Sequence, residues 1–226
     1  MKLDLLDAYN IRARLSASVI LLAPIAVTFF LCFNKVSTIA SSSVFVFVLL
    51  AFTNYIPLLQ RRFQGRNSRR NYASDFLSQN DQTIDSVTKE RYYRKLATID
   101  ESFSPFNNST DSQTLKKCCD SAVVYLRVHT RDNHLVLEEN INYGFCKNLY
   151  INKPIGIFLC SLLACFLIIY IALHLKSGDN VSLEFYCAFI FNVILLIFWI
   201  LGITKKMVNT SAIQYAKTLL SAIDEL

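Results

Sequence analysis

The chain has 226 residues, of which 53% are hydrophobic and 18% are charged, and its formal net charge is +6. This balance excludes an ordinary soluble domain. The basic residues gather at the ends of apolar blocks, where membrane topology and anionic headgroups account for them, so direct binding of nucleic acid is not expected.

Four apolar stretches are long enough to predict helices that cross a bilayer, which takes roughly 20 apolar residues. They run from Leu15 to Phe33, Ala40 to Leu59, Ile155 to Leu175 and Val181 to Thr204. Short connections after the first and third stretches predict two antiparallel hairpins. The expected fold class is therefore an α-helical membrane protein. It would have four transmembrane helices, arranged as two hairpins, with a mainly helical cytoplasmic domain between them.

The first hairpin contains two polar or helix-bending positions. Met1 to Arg14 fits a helical lead-in to the first span, or else a helix on the inner membrane surface. Pro24 predicts a bend rather than a break. Asn54, near the inner end of the second span, would face another helix or a wet cavity, so an interhelical contact and a pore-lining role are both open.

A basic stretch directly after the second span sets the topology. It holds five arginines and no acidic residue, as the positive-inside rule expects on the cytoplasmic face. An even number of spans then places both termini and the central block in the cytoplasm. The topology and headgroup-contact residues of this stretch are Arg61, Arg62, Arg66, Arg69 and Arg70.

The polar block from Gln60 to Lys153 is predicted to be mainly helical. Near-helical spacing of apolar residues indicates one helix around Gln82 to Thr98, with Asp81 as its cap. A second helix is expected from about Ser112 to Val128. The run from Val123 to Leu126 also fits a buried strand, because short β-branched runs do not discriminate.

Residues of the types that bind metals or transfer protons gather between His129 and Glu139. None of the metalloprotease spacings is present there, such as two histidines one turn apart around a glutamate. A polar turn is the expected structure, and catalysis at this cluster is the alternative. No catalytic residue, metal ligand or cofactor is predicted, and the chain is not expected to be an enzyme.

The second hairpin has Pro154 in the predicted first turn of its first helix, where a missing amide hydrogen costs nothing. Glu184 is a solvated charge at the outer end of the fourth span, or an interior group if the span starts earlier. Asn192 lies deeper, as a helix-helix contact or a cavity-lining residue. Lys205 and Lys206 end the span with the charge expected at the cytoplasmic side.

The tail carries a helical apolar stripe that would pack on the central domain, on the inner leaflet or on another subunit. Its members are Ala212, Ile213, Ala216, Leu219, Leu220 and Ile223. The predicted organisation is thus an N-terminal segment with the first hairpin (1–59), a cytoplasmic domain (60–153), the second hairpin (154–204) and a C-terminal amphipathic helix (205–226).

Three segments carry a family resemblance: Asp7 to Leu15, Glu138 to Phe145 and Asn152 to Gly156. They are similar to segments of a group of small bacterial multi-span proteins. In size and plan the chain also resembles membrane effectors of bacterial anti-phage systems, including the transmembrane protein of some retrons. The resemblance implies an abortive-infection effector that is held silent by a partner and damages the inner membrane when released. The partner expected is a cytoplasmic protein or ribonucleoprotein that acts through the domain from Gln60 to Lys153. On this hypothesis, self-association of the chain into homo-oligomers permeabilises the lipid bilayer.

Two other functions fit the same residues. A scaffold would anchor a cytoplasmic partner complex without forming a pore, and it differs from an effector only in whether ions cross. A membrane enzyme would need the cluster between His129 and Glu139 to be active.

Overall fold

The computed structural model describes residues 9–32, 55, 71–104, 106 and 111–226. Within these ranges three helices are long and apolar enough to cross a membrane: Asn10–Cys32, His134–Lys176 and Leu183–Gly202. Their length and composition are those of an α-helical membrane protein. Tyr55 aside, the predicted second span lies outside the described residues, as do Asn54, Arg61, Arg62, Arg66, Arg69 and Arg70.

The regular structure of the described ranges is helical. The α-helices are α1 (Ser16–Cys32), α2 (Tyr72–Leu77), α3 (Ser86–Ile99), α4 (Ser112–His129), α5 (His134–Lys176), α6 (Leu183–Ile197) and α7 (Lys205–Ser221). Two π-helical segments, Asn10–Leu15 and Phe198–Gly202, precede α1 and follow α6, and two 3-10 segments occupy Glu101–Phe103 and Ala222–Glu225.

The described residues belong to two compact units. The apolar unit comprises residues 9–32, 55 and 144–208. The polar unit comprises the described residues between 71 and 143 together with Asn209–Leu226. The span-length helices contribute their most apolar parts to the first unit, and the amphipathic helices α3 and α4 lie in the second.

Helix α5 is a single helix of 43 residues that contains Pro154. The prediction that a new helix begins at Pro154 is therefore wrong. Proline has a backbone φ that suits a helix and removes one intrahelical hydrogen bond, so a helix held by its neighbours can continue through it. Helix α1 likewise continues through Pro24 without a break.

The caps of α3 and α4 explain where these helices begin. The side chain of Asp85 accepts a 2.8 Å hydrogen bond from the backbone N–H of Thr88, so Asp85 and not Asp81 caps α3. Asp81 instead accepts from the N–H of Thr83 in the preceding turn. Helix α4 starts at Ser112 as predicted, and it continues through Val123 to Leu126, so the alternative of a strand there is wrong.

The tail packs within the core of the polar unit. Leu219, Leu220 and Ile223 are fully buried in the same cluster as Leu96 of α3 and Leu126 of α4. The sequence leaves three surfaces open for the tail stripe, and the structure shows that the stripe packs on the central domain. Polar contacts add to this packing: Arg91 forms a 2.7 Å ion pair with the carboxylate of Asp224, and Lys95 donates to the carbonyl of Asp224.

Candidate functional site in the apolar unit

A buried polar contact joins α1 to α6. Nδ2 of Asn192 donates to Oγ1 of Thr28 at 2.8 Å and to the carbonyl oxygen of Ala188 at 2.8 Å. Asn192 is fully buried, and its Oδ1 has no hydrogen-bond partner among the described residues. Asn192 therefore makes a helix-helix contact, and its amide oxygen is an acceptor that the described residues leave unused.

One face of α5 supplies a second buried polar group. The face repeats every four residues, at Asn148, Asn152, Gly156, Cys160 and Ala164, and each of these residues is buried. Nδ2 of Asn148 donates to the carbonyl oxygen of Ala13 at 2.8 Å. Asn152 is fully buried, yet neither of its amide atoms has a partner within the described part of the chain.

The pairing of Gly156 with Trp199 brings α5 against the end of α6. A Cβ at position 156 would lie well inside van der Waals distance of three carbons of the Trp199 indole. Trp199 is fully buried, and its Nε1 has no partner among the residues that the structure describes. The indole therefore lies on bare helix backbone, as small residues allow where membrane helices approach closely.

Trp199 belongs to the π-helical segment Phe198–Gly202, which Lys153 holds at its end. Nζ of Lys153 donates to the carbonyl oxygens of Ile200 at 2.9 Å and Ile203 at 2.7 Å. The last carbonyls of any helix lack intrahelical donors, so this contact satisfies two of them. Single turns of π-helix are rare and occur often at functional sites.

A further polar group lies where the first described helix begins. Arg14 donates a 2.8 Å hydrogen bond to Oδ1 of Asn10, and its guanidinium lies 5.6 Å from the centroid of the Tyr9 ring. The same tyrosine ring packs on Gly144, where a Cβ would be 2.6 Å from its hydroxyl oxygen. The guanidinium is thus held by a neutral amide and an aromatic face.

The remaining predicted residues lie at the ends of the helices. Glu184 is exposed in the first turn of α6, which agrees with a charge at the end of the span. Lys205 and Lys206 are exposed in the first turn of α7. The structure brings none of these three side chains into the buried polar contacts.

The cluster between His129 and Glu139 does not converge on one point. The ring of His129 stacks on Tyr125 at 3.8 Å, whereas Nε2 of His134 lies 3.8 Å from Oε1 of Glu138 on an exposed helix face. Throughout the described ranges, no group of three His, Cys, Asp or Glu side chains could hold a metal ion. The histidines have local contacts that account for their positions.

A cavity of about 520 Å³ lies in the polar unit, beside α3. Lys89 lines it, and Nζ of Lys89 donates to the carbonyl oxygens of Ser78, at 2.6 Å, and of Asp81. Burial lowers the pKa of this lysine. Because the ammonium group is engaged with backbone oxygens, it closes the turn before α3. The cavity is lined by Gln79, Ser86, Lys89, Glu90, Tyr93, Arg94 and Phe106.

Comparisons of the chain with models of protein families, with curated proteins and with solved structures find no match. The candidate site is therefore defined by the geometry of the apolar unit alone.

The sequence predicts Asn192 as a helix-helix contact or cavity-lining residue, but it does not predict the roles of Asn152, Lys153 and Trp199. Asn152 and Lys153 fall before the predicted third span, because the sequence favours a helix start at Pro154. The four-residue spacing of Asn148, Asn152 and Gly156 is the signal that predicts a shared helix face. The pairing of Trp199 with Gly156 has no local signal, since it joins residues far apart in the chain.

Proposed function

We propose that this chain is an effector of the bacterial inner membrane that makes the bilayer permeable when its cytoplasmic part is engaged by a regulator. The observation that carries the proposal is the set of buried polar side chains among helices long enough to span a membrane. Asn152 and Asn192 are fully buried there and keep unpaired amide atoms within the described chain.

Unpaired polar groups have a cost that supports this proposal. A buried donor or acceptor without a partner costs about 1–3 kcal/mol, and a bilayer core offers no water to relieve it. Polar side chains inside spans form contacts between helices or line pathways for ions and water. These groups are uncharged amides and an indole, which suit a path for water and small ions rather than catalysis. We therefore propose no enzymatic activity and no cofactor.

The proposed arrangement keeps four spans as two hairpins, with both termini in the cytoplasm. Five arginines directly after the predicted second span and the exposed Lys205 and Lys206 support it, because basic residues favour the cytoplasmic face. The resemblance to anti-phage effectors supplies the setting, which is abortive infection triggered through a cytoplasmic protein or ribonucleoprotein. Homo-oligomers would widen the path beyond what one copy can enclose.

A membrane scaffold that anchors a partner complex is the second candidate function. It is favoured because the C-terminal tail and the central helices pack into one polar unit. The C-terminal turn is held there by the ion pair between Arg91 and Asp224 and by a hydrogen bond from Asn133 to Glu225. A compact unit of this kind offers a docking surface whether or not ions cross the bilayer.

The membrane potential of cells distinguishes the two functions. We would follow a voltage-sensitive dye in bacteria that express the chain alone, or with its genomic neighbours during phage infection. An effector depolarises the cells, and the double variant Asn152→Leu, Asn192→Leu depolarises them less at equal abundance in the membrane. The control is Asn180→Leu, which makes the same change at an exposed position. An intact potential under all conditions would exclude the effector and favour the scaffold.

A further inference from the structure

The indole of Trp199 packs directly on Gly156. Trp199 is the only tryptophan of the chain and is fully buried. Its indole lies on Gly156 so closely that no side chain fits between them. An indole is large and rigid, so it packs against the backbone of Gly156 in only one position. A small displacement of either helix would therefore break the contact.

Polar atoms that have no partner among the described residues lie near this contact. Asn152 is one helical turn before Gly156 on the same face of α5, and both of its amide atoms lack partners among the described residues. The same holds for Nε1 of Trp199. Water that reaches a buried donor and acceptor would stabilise them, because a buried water typically makes about three hydrogen bonds to such groups.

Lys153 of α5 binds the backbone of the π-helical segment that contains Trp199. Its ammonium group binds the carbonyl oxygens of Ile200 and Ile203, on either side of the end of the π-helical segment. Residues 152, 153 and 156 of α5 thus contact or flank the segment that holds the indole. A π-helical turn has the alternative of ordinary α-helical pairing, which would rotate the residues that follow it.

We propose that Trp199 is the gate of the permeation path, closed when the indole lies on Gly156. In the open state, water occupies that place and binds the amide of Asn152 and the indole N–H. In the closed state these groups have no partner among the described residues, so hydration would offset part of the free energy lost when the indole leaves its contact. This inference rests on the proposed function and names the residues that would control it.

The first test is the leak of vesicles that contain the purified full chain. The vesicles are made of phosphatidylethanolamine and phosphatidylglycerol and carry a potassium diffusion potential reported by a dye. Gly156→Ala is expected to raise the rate of leak roughly tenfold, because overpacking by one methyl group commonly shifts a two-state equilibrium by that factor. The control is Ala172→Val, which adds carbon atoms at an exposed position of the same helix.

The second test uses the fluorescence of the single tryptophan in the same vesicles, and it does not depend on ion flow. In the wild type the emission should be blue-shifted and poorly quenched by acrylamide, since Trp199 is fully buried. Gly156→Ala should shift the emission to the red and increase quenching. The double variant Gly156→Ala, Trp199→Phe should return the leak to the wild-type rate, because the smaller ring leaves room for the added methyl group.

The outcomes separate this inference from the proposed function. If Gly156→Ala displaces the indole and the leak stays at the wild-type rate, Trp199 is not the gate. If the emission does not move, the close contact itself is refuted. The proposed function fails separately, when the wild type leaves the potential of infected cells intact and Gly156→Ala and Trp199→Ala both leave the vesicles tight.

Discussion

The amide of Asn192 and the hydroxyl of Thr28 form a 2.8 Å hydrogen bond that joins α6 to α1. Both residues are buried, and the amide also donates to the carbonyl of Ala188 in its own helix. In a low-dielectric interior this bond fixes which faces of the two helices meet. It gives the apolar unit a specific interhelical contact of a kind that hydrocarbon packing alone does not provide.

Removing the hydroxyl should weaken the apolar unit modestly. Thr28→Val keeps the shape of the side chain and removes one acceptor of Asn192, so we expect a loss of about 0.6 kcal/mol, with about 1.7 as an upper bound. Unfolding in mild detergent would measure it. In a double-mutant cycle with Asn192→Leu, the second change should cost less once the first is made; equal and additive costs would contradict the contact.

Loss of the Lys153 ammonium group should release the end of the π-helical segment. Lys153→Met keeps the apolar stem and leaves the carbonyls of Ile200 and Ile203 without their donor. We expect red-shifted emission from Trp199 and a faster vesicle leak. Lys205→Met removes a charge at an exposed position and serves as the control. Unchanged emission in Lys153→Met would show that the segment holds its geometry without the lysine.

The stability of the polar unit should fall in alkaline solution. Burial raises the pKa of Cys119 from 9.0 to about 12, and it raises the pKa of Tyr93 in the same direction. A thiol whose folded pKa is raised stabilises the fold below its unfolded pKa, and this stabilisation is lost as the pH rises from about 9 towards 12. Wild-type stability should therefore decrease over that range.

The variant Cys119→Ala is compared with the wild type by thermal unfolding at several pH values. Cys119→Ala should be less stable at neutral pH, because it leaves a small cavity. Its stability should nevertheless fall less steeply above pH 9 than that of the wild type. Parallel curves for the two proteins would exclude Cys119 as a source of the alkaline decrease.

The turn between α5 and α6 provides a test of topology. The proposed arrangement places Ser177 outside the inner membrane and Thr210 in the cytoplasm, and both residues are exposed. In intact spheroplasts, Ser177→Cys should gain one adduct with a membrane-impermeant maleimide relative to the parent chain. Thr210→Cys should gain its adduct only after permeabilisation. The reverse pattern would invert the proposed orientation.

The sequence predicts local features of this chain well. Helix α4 begins at the predicted Ser112, where Asp111 accepts hydrogen bonds from the N–H groups of the first turn. The tail stripe from Ala212 to Ile223 is also found as predicted, because its apolar spacing matches a helix face. Capping and periodicity depend on neighbours in sequence, so they can be recognised without tertiary information.

The errors arise where tertiary contacts outweigh local preference. Asp81 and Asp85 are both good capping residues, and the choice between them depends on the turn that buried Lys89 closes. Pro154 resembles a helix start when neighbours are ignored, but α5 continues through it. The contact of Trp199 with Gly156 joins residues that are distant in the sequence. A single glycine in an apolar run does not indicate which aromatic side chain packs against it.

The length of α5 has a consequence at the membrane surface. Its 43 residues extend about 65 Å at 1.5 Å per residue, while a hydrocarbon core is only about 30 Å thick. Even a tilted helix of this length must project from the lipid, and its polar first half is the part suited to water. Helix α5 continues without a break from its polar half into its apolar half. No loop interrupts α5 between these halves, so in a membrane a rotation or axial displacement of the polar half would be transmitted along the helix to the apolar half.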